Sequence, residues 1–320
     1  MQIFGSDIRF GVHSGPQNTG FDDYRDLWLR CEELGYDWVS DFDHFLPIYS
    51  DPTGPQFEGL TLLSAMAAHT SRVRCGMLVL GVTYRHPAVV ANMAATIDHV
   101  SGGRLELGMG AAWYELEHDQ YGIPFPRIGV RMDMLDEACR IMRSLWTQET
   151  TTFEGKHFQL EDARLEPKPL QEHLPLVIGG AGERRTLRIV AEHGDIWNML
   201  FVDDLDDYRH KLEVLAGHCA DVGRDPADVR KSLTFRALLD DDEQAARERA
   251  RELYGDPMPE RLQRMMIVGT PEQCVERLRA YADLGVGDFL LGSMPPNDWQ
   301  TIESVAGSVA PALKAAVTAA

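Results

Sequence analysis

Short apolar runs alternate with longer amphipathic stretches along all 320 residues of this chain. Eight of the runs read as strands: Ile8–Val12, Trp38–Ser40, Val73–Val82, Arg104–Met109, Leu176–Ile178, Ile196–Leu200, Val229–Leu238 and Asp288–Leu291. The longest, VRCGMLVLGV, is apolar almost throughout, as a strand covered on both faces must be. Between the runs, helical spacing of apolar positions predicts helices over Asp22–Leu34, Leu60–His69, Pro87–Val100, Val130–Trp146, Glu183–Glu192, Leu205–Cys219, Asp241–Tyr254, Pro271–Leu284 and Thr301–Val317. Local punctuation agrees with several of these ends. Gly35 suits a helix stop, Pro87 and Pro271 suit a first turn, and Thr270 suits an N-cap.

Strands that alternate with helices imply a parallel sheet with helical crossovers. Eight such units fit a closed (β/α)8 TIM barrel of class α/β, with a doubly wound open sheet as the structural rival. The pattern has no break in composition, so residues 1–320 read as a single domain. Insertions are expected at about 113–126, 150–165 and 254–266. The second of them reads as a β-hairpin turning at Glu154-Gly155.

Charge narrows the partners. Lys plus Arg is 31 against 50 Asp plus Glu, a formal net charge of −19. Such a chain has no general attraction for phosphate backbones or anionic bilayers, so neither nucleic acid nor membrane is an expected partner. The acidic runs Asp203–Asp207 and Asp240–Glu243 read as solvated helix starts. Five widely spaced cysteines contain no CxxC pair, which fits reduced thiols in a cytoplasmic protein. The opening MQIFGSDIRF lacks the basic and apolar regions of a secretory leader, and no apolar run approaches the ~20 residues of a membrane span.

In a barrel of this kind the chemistry gathers where the strands end. Asp43-His44 follows the second strand and joins a carboxylate to an imidazole, the side chain best suited to proton transfer near neutral pH. Gly179-Gly180-Ala181-Gly182 follows the fifth and opens a helix, an arrangement that lets backbone amides approach a phosphate. Gly108–Gly110 is half of a dinucleotide fingerprint without its remainder, and it could instead admit a flat ring close to the backbone. No HExxH or other ligand spacing points to a metal.

These pieces stand in a familiar order. Ser40, Asp43-His44-Phe45 and Pro47 are followed by Leu80-Gly81-Val82 before His86-Pro87. Then come Ser101-Gly102-Gly103-Arg104 and Glu106-Leu107-Gly108-Met109-Gly110-Ala111-Ala112-Trp113. The order continues with Glu117, Tyr121-Gly122-Ile123-Pro124-Phe125, Pro175, Gly179-Gly180 and Val268-Gly269-Thr270-Pro271-Glu272. The set resembles the bacterial luciferase-like superfamily, and within it the coenzyme F420-dependent oxidoreductases.

That resemblance implies a TIM barrel with a deazaflavin at its C-terminal mouth and a small organic substrate beside it. It implies a non-proline cis peptide behind the ring, with Gly81-Val82 as the expected place. It implies His44 and Asp43 as the catalytic pair, Asp43 contacting ring or histidine. Gly81, Val82, Gly108, Met109 and Gly110 would lie around the ring, and Gly179, Gly180 and Ala181 would hold the phosphate of the cofactor tail. It also implies a homodimer. Where F420-dependent glucose-6-phosphate dehydrogenases carry a tryptophan and an acidic glutamate, this chain has Ile48 and Ala111. That points away from glucose 6-phosphate and toward a carbonyl, enone or similar substrate. The alternative within the superfamily is a monooxygenase using reduced FMN from a separate reductase. A non-catalytic flavin-binding protein and a metal-dependent barrel hydrolase are the rivals from other classes.

Overall fold

The structure, a computed structural model, describes residues 7–49, 51–201 and 204–318. The segment bearing on a leader, residues 1–6, and Asp203 of the acidic run lie outside the described residues. In chain order the strands are β1 (Arg9–Ser14), β2 (Trp38–Asp41), β3 (Arg74–Gly81), β4 (Leu105–Gly110), β5 (Thr151–Glu154), β6 (Gln159–Ala163), β7 (Leu176–Gly179), β8 (Ile196–Leu200), β9 (Arg230–Leu239), β10 (Met266–Gly269) and β11 (Val286–Ser293). The helices are α1 (Phe21–Glu33), α2 (Gly59–His69), α3 (Pro87–Ser101), α4 (Glu115–Tyr121), α5 (Ile128–Thr147), α6 (Thr186–His193), α7 (Leu205–Val222), α8 (Glu243–Tyr254), α9 (Glu260–Met265), α10 (Pro271–Ala282), α11 (Trp299–Ser304) and α12 (Ala310–Thr318), the last two joined by a π-turn.

Strands β9, β11, β1, β2, β3, β4, β7 and β8 follow one another in parallel, and β8 pairs back onto β9, so the sheet closes as an eight-stranded barrel. The open-sheet rival is excluded. All eight expected strands are present, and β5 and β6 form the expected antiparallel hairpin. Its turn spans Gly155–Phe158, whose ends are joined by a 2.9 Å backbone bond. Three elements are additions, one of them helix α9 in the 254–266 insertion. Helix α4 lies in the 113–126 insertion. Strand β10, only four residues of MIVG, pairs with Arg236–Leu239, where the long β9 runs past the barrel wall. No helix among the described residues is long and apolar enough to cross a membrane.

The barrel interior is layered. At the bottom Arg9 bridges Glu106 and Asp288 at 2.7 Å each, and Arg230 meets Asp288 at 2.7 Å. Burial opposes ionisation of Asp288, but Arg9 and Arg230 together outweigh it and hold its carboxyl below the usual range. Above this ring Trp38, Leu78, Val177, Ile196 and Leu290 fill the bore. Gly11 and Gly76 make room for Trp38, since an added Cβ would lie 2.5 Å and 2.1 Å from its atoms. The mouth above that layer is lined by polar and glycine positions.

Candidate active site

Alternation of side chains along an extended segment sends neighbours to opposite sides. After β2 it separates Asp43 from His44. Asp43 is 2% exposed and takes a two-pronged bond from Arg85, both contacts 2.8 Å, plus the Gly81 amide at 3.1 Å. Arg85 also reaches Glu58, the N-cap of α2. Asp43 therefore fixes the start of the β3–α3 loop. It does not hold His44, contrary to one sequence expectation.

Glu117 of α4 holds His44. Its Oε1 lies 2.7 Å from His44 Nδ1, its Oε2 accepts the Phe45 amide at 2.7 Å, and the Tyr84 hydroxyl donates to Oε1. Glu117 is fully buried. Burial disfavours its charge, but the bonds from His44, Tyr84 and Phe45 outweigh this and hold its carboxyl below the usual range. A carboxylate at Nδ1 selects the tautomer with the proton there, which leaves Nε2 as the working nitrogen. Rings of Phe42, Trp113 and Tyr114, with centroids 5.3, 5.5 and 5.9 Å away, frame the imidazole. The neighbouring His118 is different. Its two nitrogens are bound to Thr83 Oγ1 and Tyr114 O, both at 2.7 Å, so it serves to position α4.

The other side of the mouth is built from glycines around Val79. The non-proline cis bond is Leu78–Val79, not Gly81-Val82. Val82 donates an ordinary ladder bond to Gly110 O at 3.0 Å, whereas the β3–β4 register shifts between Met77 and Leu80. The irregularity therefore falls inside the strand, where the sequence is uniformly apolar and gives no mark of it. Cβ atoms on Gly108, Gly110 and Gly179 would come within 2.7, 2.7 and 3.0 Å of the Val79 side chain. The three glycines let Val79 stand as a partly exposed apolar ridge across the mouth. Met109, between two of them, is 2% exposed and packs outward into the main core, so strand alternation removes it from the mouth.

In the loop after β7, Gly180 has φ +114°, a conformation that favours glycine. Its amide donates to Asn198 O at 3.1 Å, and its carbonyl accepts Trp197 Nε1 at 2.8 Å. The amides of Ala181 and Gly182 have no hydrogen-bond partner among the described residues. Ile48 and Ala111 both line partly buried ground near the mouth, Ile48 tethered by Gln17 Oε1 at 2.9 Å.

Asp41 was not singled out by its sequence, yet it is fully buried and neither of its oxygens has a hydrogen-bond partner. Burial, then the nearby Asp43 and Glu58, push its carboxyl well above the usual range. Among the described residues the groups spaced for a metal are Asp136, Glu192 and His193 on α5 and α6, outside the barrel mouth.

Comparison with known proteins matches this geometry to one family. The profile of luciferase-like monooxygenases matches residues 4–263. An F420-dependent glucose-6-phosphate dehydrogenase of Microbacterium testaceum is 29% identical over 303 residues, covering 87% of this chain and 89% of the relative. A pyrimidine monooxygenase, RutA, of Stutzerimonas stutzeri is 32% identical over 196 residues, 59% of this chain and 52% of the relative. An F420-dependent secondary alcohol dehydrogenase, solved with an F420–acetone adduct, superposes with a TM-score of 0.83 at 22% identity, covering 96% of this chain and 99% of that one.

Proposed function

The chain belongs to the luciferase-like monooxygenase family, and from that premise we propose that it is a coenzyme F420-dependent oxidoreductase acting on a small organic substrate. The observation that carries this reading is the pairing of a flat apolar shelf with a poised histidine. The Val79 ridge, levelled by Gly108, Gly110 and Gly179, fits the face of a tricyclic ring. The free amides of Ala181 and Gly182 fit a phosphate of the tail, with Gly180 shaping the turn. When bound there, the deazaflavin supplies two-electron hydride transfer at its ring carbon.

The chain's own residues do the rest. His44, with Nδ1 committed to Glu117, holds or donates a proton at Nε2 toward the substrate oxygen. Glu117 positions that ring and balances its charge in the protonated state. Asp43 anchors Arg85 and the Gly81 amide, which sets the loop beside the shelf. Phe42, Trp113 and Tyr114 limit water around the imidazole. Sequence similarity over most of an F420-dependent dehydrogenase, against partial coverage of the pyrimidine monooxygenase, supports the deazaflavin over reduced FMN from a separate reductase. We also place the protein in the cytoplasm, supported by its five buried free cysteines, and read it as a homodimer from the family resemblance.

The test is a fluorescence titration of the purified protein with coenzyme F420 and, separately, with FMN. Micromolar binding of F420 with little FMN binding is expected. Preference for FMN moves the protein to the oxygen-activating branch, and binding of neither overturns the assignment.

A further inference from the structure

The mouth divides into two halves. Strands β3, β4 and β7 carry Val79 and its glycines. The opposite wall is polar, and pairing register places its members side by side: Gly292 of β11 faces His13 of β1, and His13 faces Ser40 of β2. Arg236 of β9 completes the row, since a Cβ on Gly292 would lie 3.5 Å from its Cγ. The arginine stem therefore runs along the wall in ordinary contact distance of Gly292.

Arg236 differs from the other arginines of the bore. Arg9 and Arg230 at the bottom are locked onto carboxylates, and Arg85 at the mouth serves Asp43 and Glu58. Arg236 is half-buried and has no hydrogen bond or ion pair among the described residues, in a chain with 50 acidic side chains. Its guanidinium lies 4.7 Å over the Tyr49 ring, which orients its plane. Gln17 holds that loop by accepting the Ile48 amide at 2.9 Å and donating to Tyr49 O at 3.1 Å. His13 Nδ1 is 3.0 Å from Ser40 Oγ; with the serine hydroxyl donating, a neutral His13 carries its proton on Nε2 and offers that donor to the mouth, so Ser40 acts through His13. Burial and Arg236 push His13 down to about 4, so it is neutral at pH 7. The row also reaches the reaction centre: His13 lies 6.1 Å from the Phe42 ring, and Phe42 lies 5.3 Å from His44.

A partly desolvated guanidinium without a carboxylate is poorly stabilised unless an anion completes it, and its planar fork suits two oxygens at once. We propose that Arg236, with His13, Ser40 and Tyr49, forms an oxyanion subsite, so that the substrate of this enzyme is a carbonyl or alcohol bearing a phosphate or carboxylate group. The inference rests on the oxidoreductase reading for the word substrate, but the anion site can be measured by itself. It also refines the expectation of a carbonyl or enone substrate drawn from Ile48 and Ala111 by adding an anionic group to that substrate.

The test is isothermal titration of the protein, free and F420-loaded, with inorganic phosphate and with succinate at low ionic strength. Binding of at least one anion is expected, weakened at least about tenfold in Arg236→Gln and less in Arg236→Lys. Whichever anion binds separates phosphate from carboxylate recognition. Arg184→Gln, on the exposed glycine loop, should leave the anion affinity unchanged. No anion binding by the wild type overturns the subsite. So does equal binding by Arg236→Gln, or loss of binding only in Arg184→Gln, which would place the anion at the cofactor loop. F420 affinity of each variant is read in parallel. Retained F420 binding shows that Arg236→Gln is folded, and Arg236→Lys decides the question if it is not. Failure of the wild type to bind F420 would sink the oxidoreductase reading while the anion titration stood by itself.

Discussion

His44 is tied to a fully buried carboxylate 73 residues away. The imidazole could be picked out from the sequence because it follows a strand end beside an aspartate. Its partner could not, because adjacency suggested Asp43 and only the docking of α4 brings Glu117 to Nδ1. The two residues should fail differently. His44→Ala removes the proton carrier and is expected to lower kcat about 10²–10⁴-fold with F420 affinity little changed. Glu117→Gln keeps the shape but no longer dictates the tautomer, and kcat should fall by about 10²-fold or more. The distinguishing readout is the ¹⁵N spectrum of His44. Glu117→Gln should shift the proton from Nδ1 toward Nε2, and an unaltered tautomer with a lowered rate would reduce Glu117 to packing.

At the scale of elements, the eight barrel strands were legible because short, largely apolar runs alternate regularly with amphipathic helices. What escaped was set by pairing rather than by composition. Strand β10 is four residues long and exists because β9 overruns the barrel and offers it a free edge. The irregularity at Val79 is likewise visible only as a register shift against β4. The glycines were noticed for the right strands, but their reason is the Val79 side chain they accommodate. Gly108→Ala would put a methyl 2.1 Å from Met77 O as well as against Val79. It should cost about 1–3 kcal/mol of stability and weaken F420 binding, because the shelf must tilt. Gly217→Ala, in the middle of α7 with nothing within 4 Å of the new Cβ, should instead stabilise by about 0.5–1 kcal/mol. Thermal melts of both variants check the contrast, and equal effects would refute the packing account of Gly108.

For the whole molecule, a net charge of −19 taken alone predicts that mild acid relieves self-repulsion and stabilises the fold. The buried groups argue the opposite. His13 is pushed down to about 4 by burial and Arg236, so between pH 6.5 and 4 the unfolded chain binds a proton that the folded one refuses. Stability is lost across that window as pH falls. Asp288 and Glu117 are each disfavoured as anions by burial but held below the usual range by their partners, and they extend the loss below about pH 4. Asp41 has the other sign. Burial, Asp43 and Glu58 raise it, so the folded state retains a proton that the unfolded chain gives up above about pH 4, and stability falls as pH rises. Asp41→Asn removes that one contribution without changing shape. Its melting temperature at pH 8 should exceed that of the wild type by at least about 2 °C, the shift that roughly 1 kcal/mol gives in a chain of this size. The advantage should narrow as the pH is lowered toward 5, while both proteins lose stability together through the His13 window. A variant less stable than wild type at pH 8, or an advantage that grows on acidification, would mean that the buried carboxyl of Asp41 is held by an interaction that its unpartnered oxygens do not reveal.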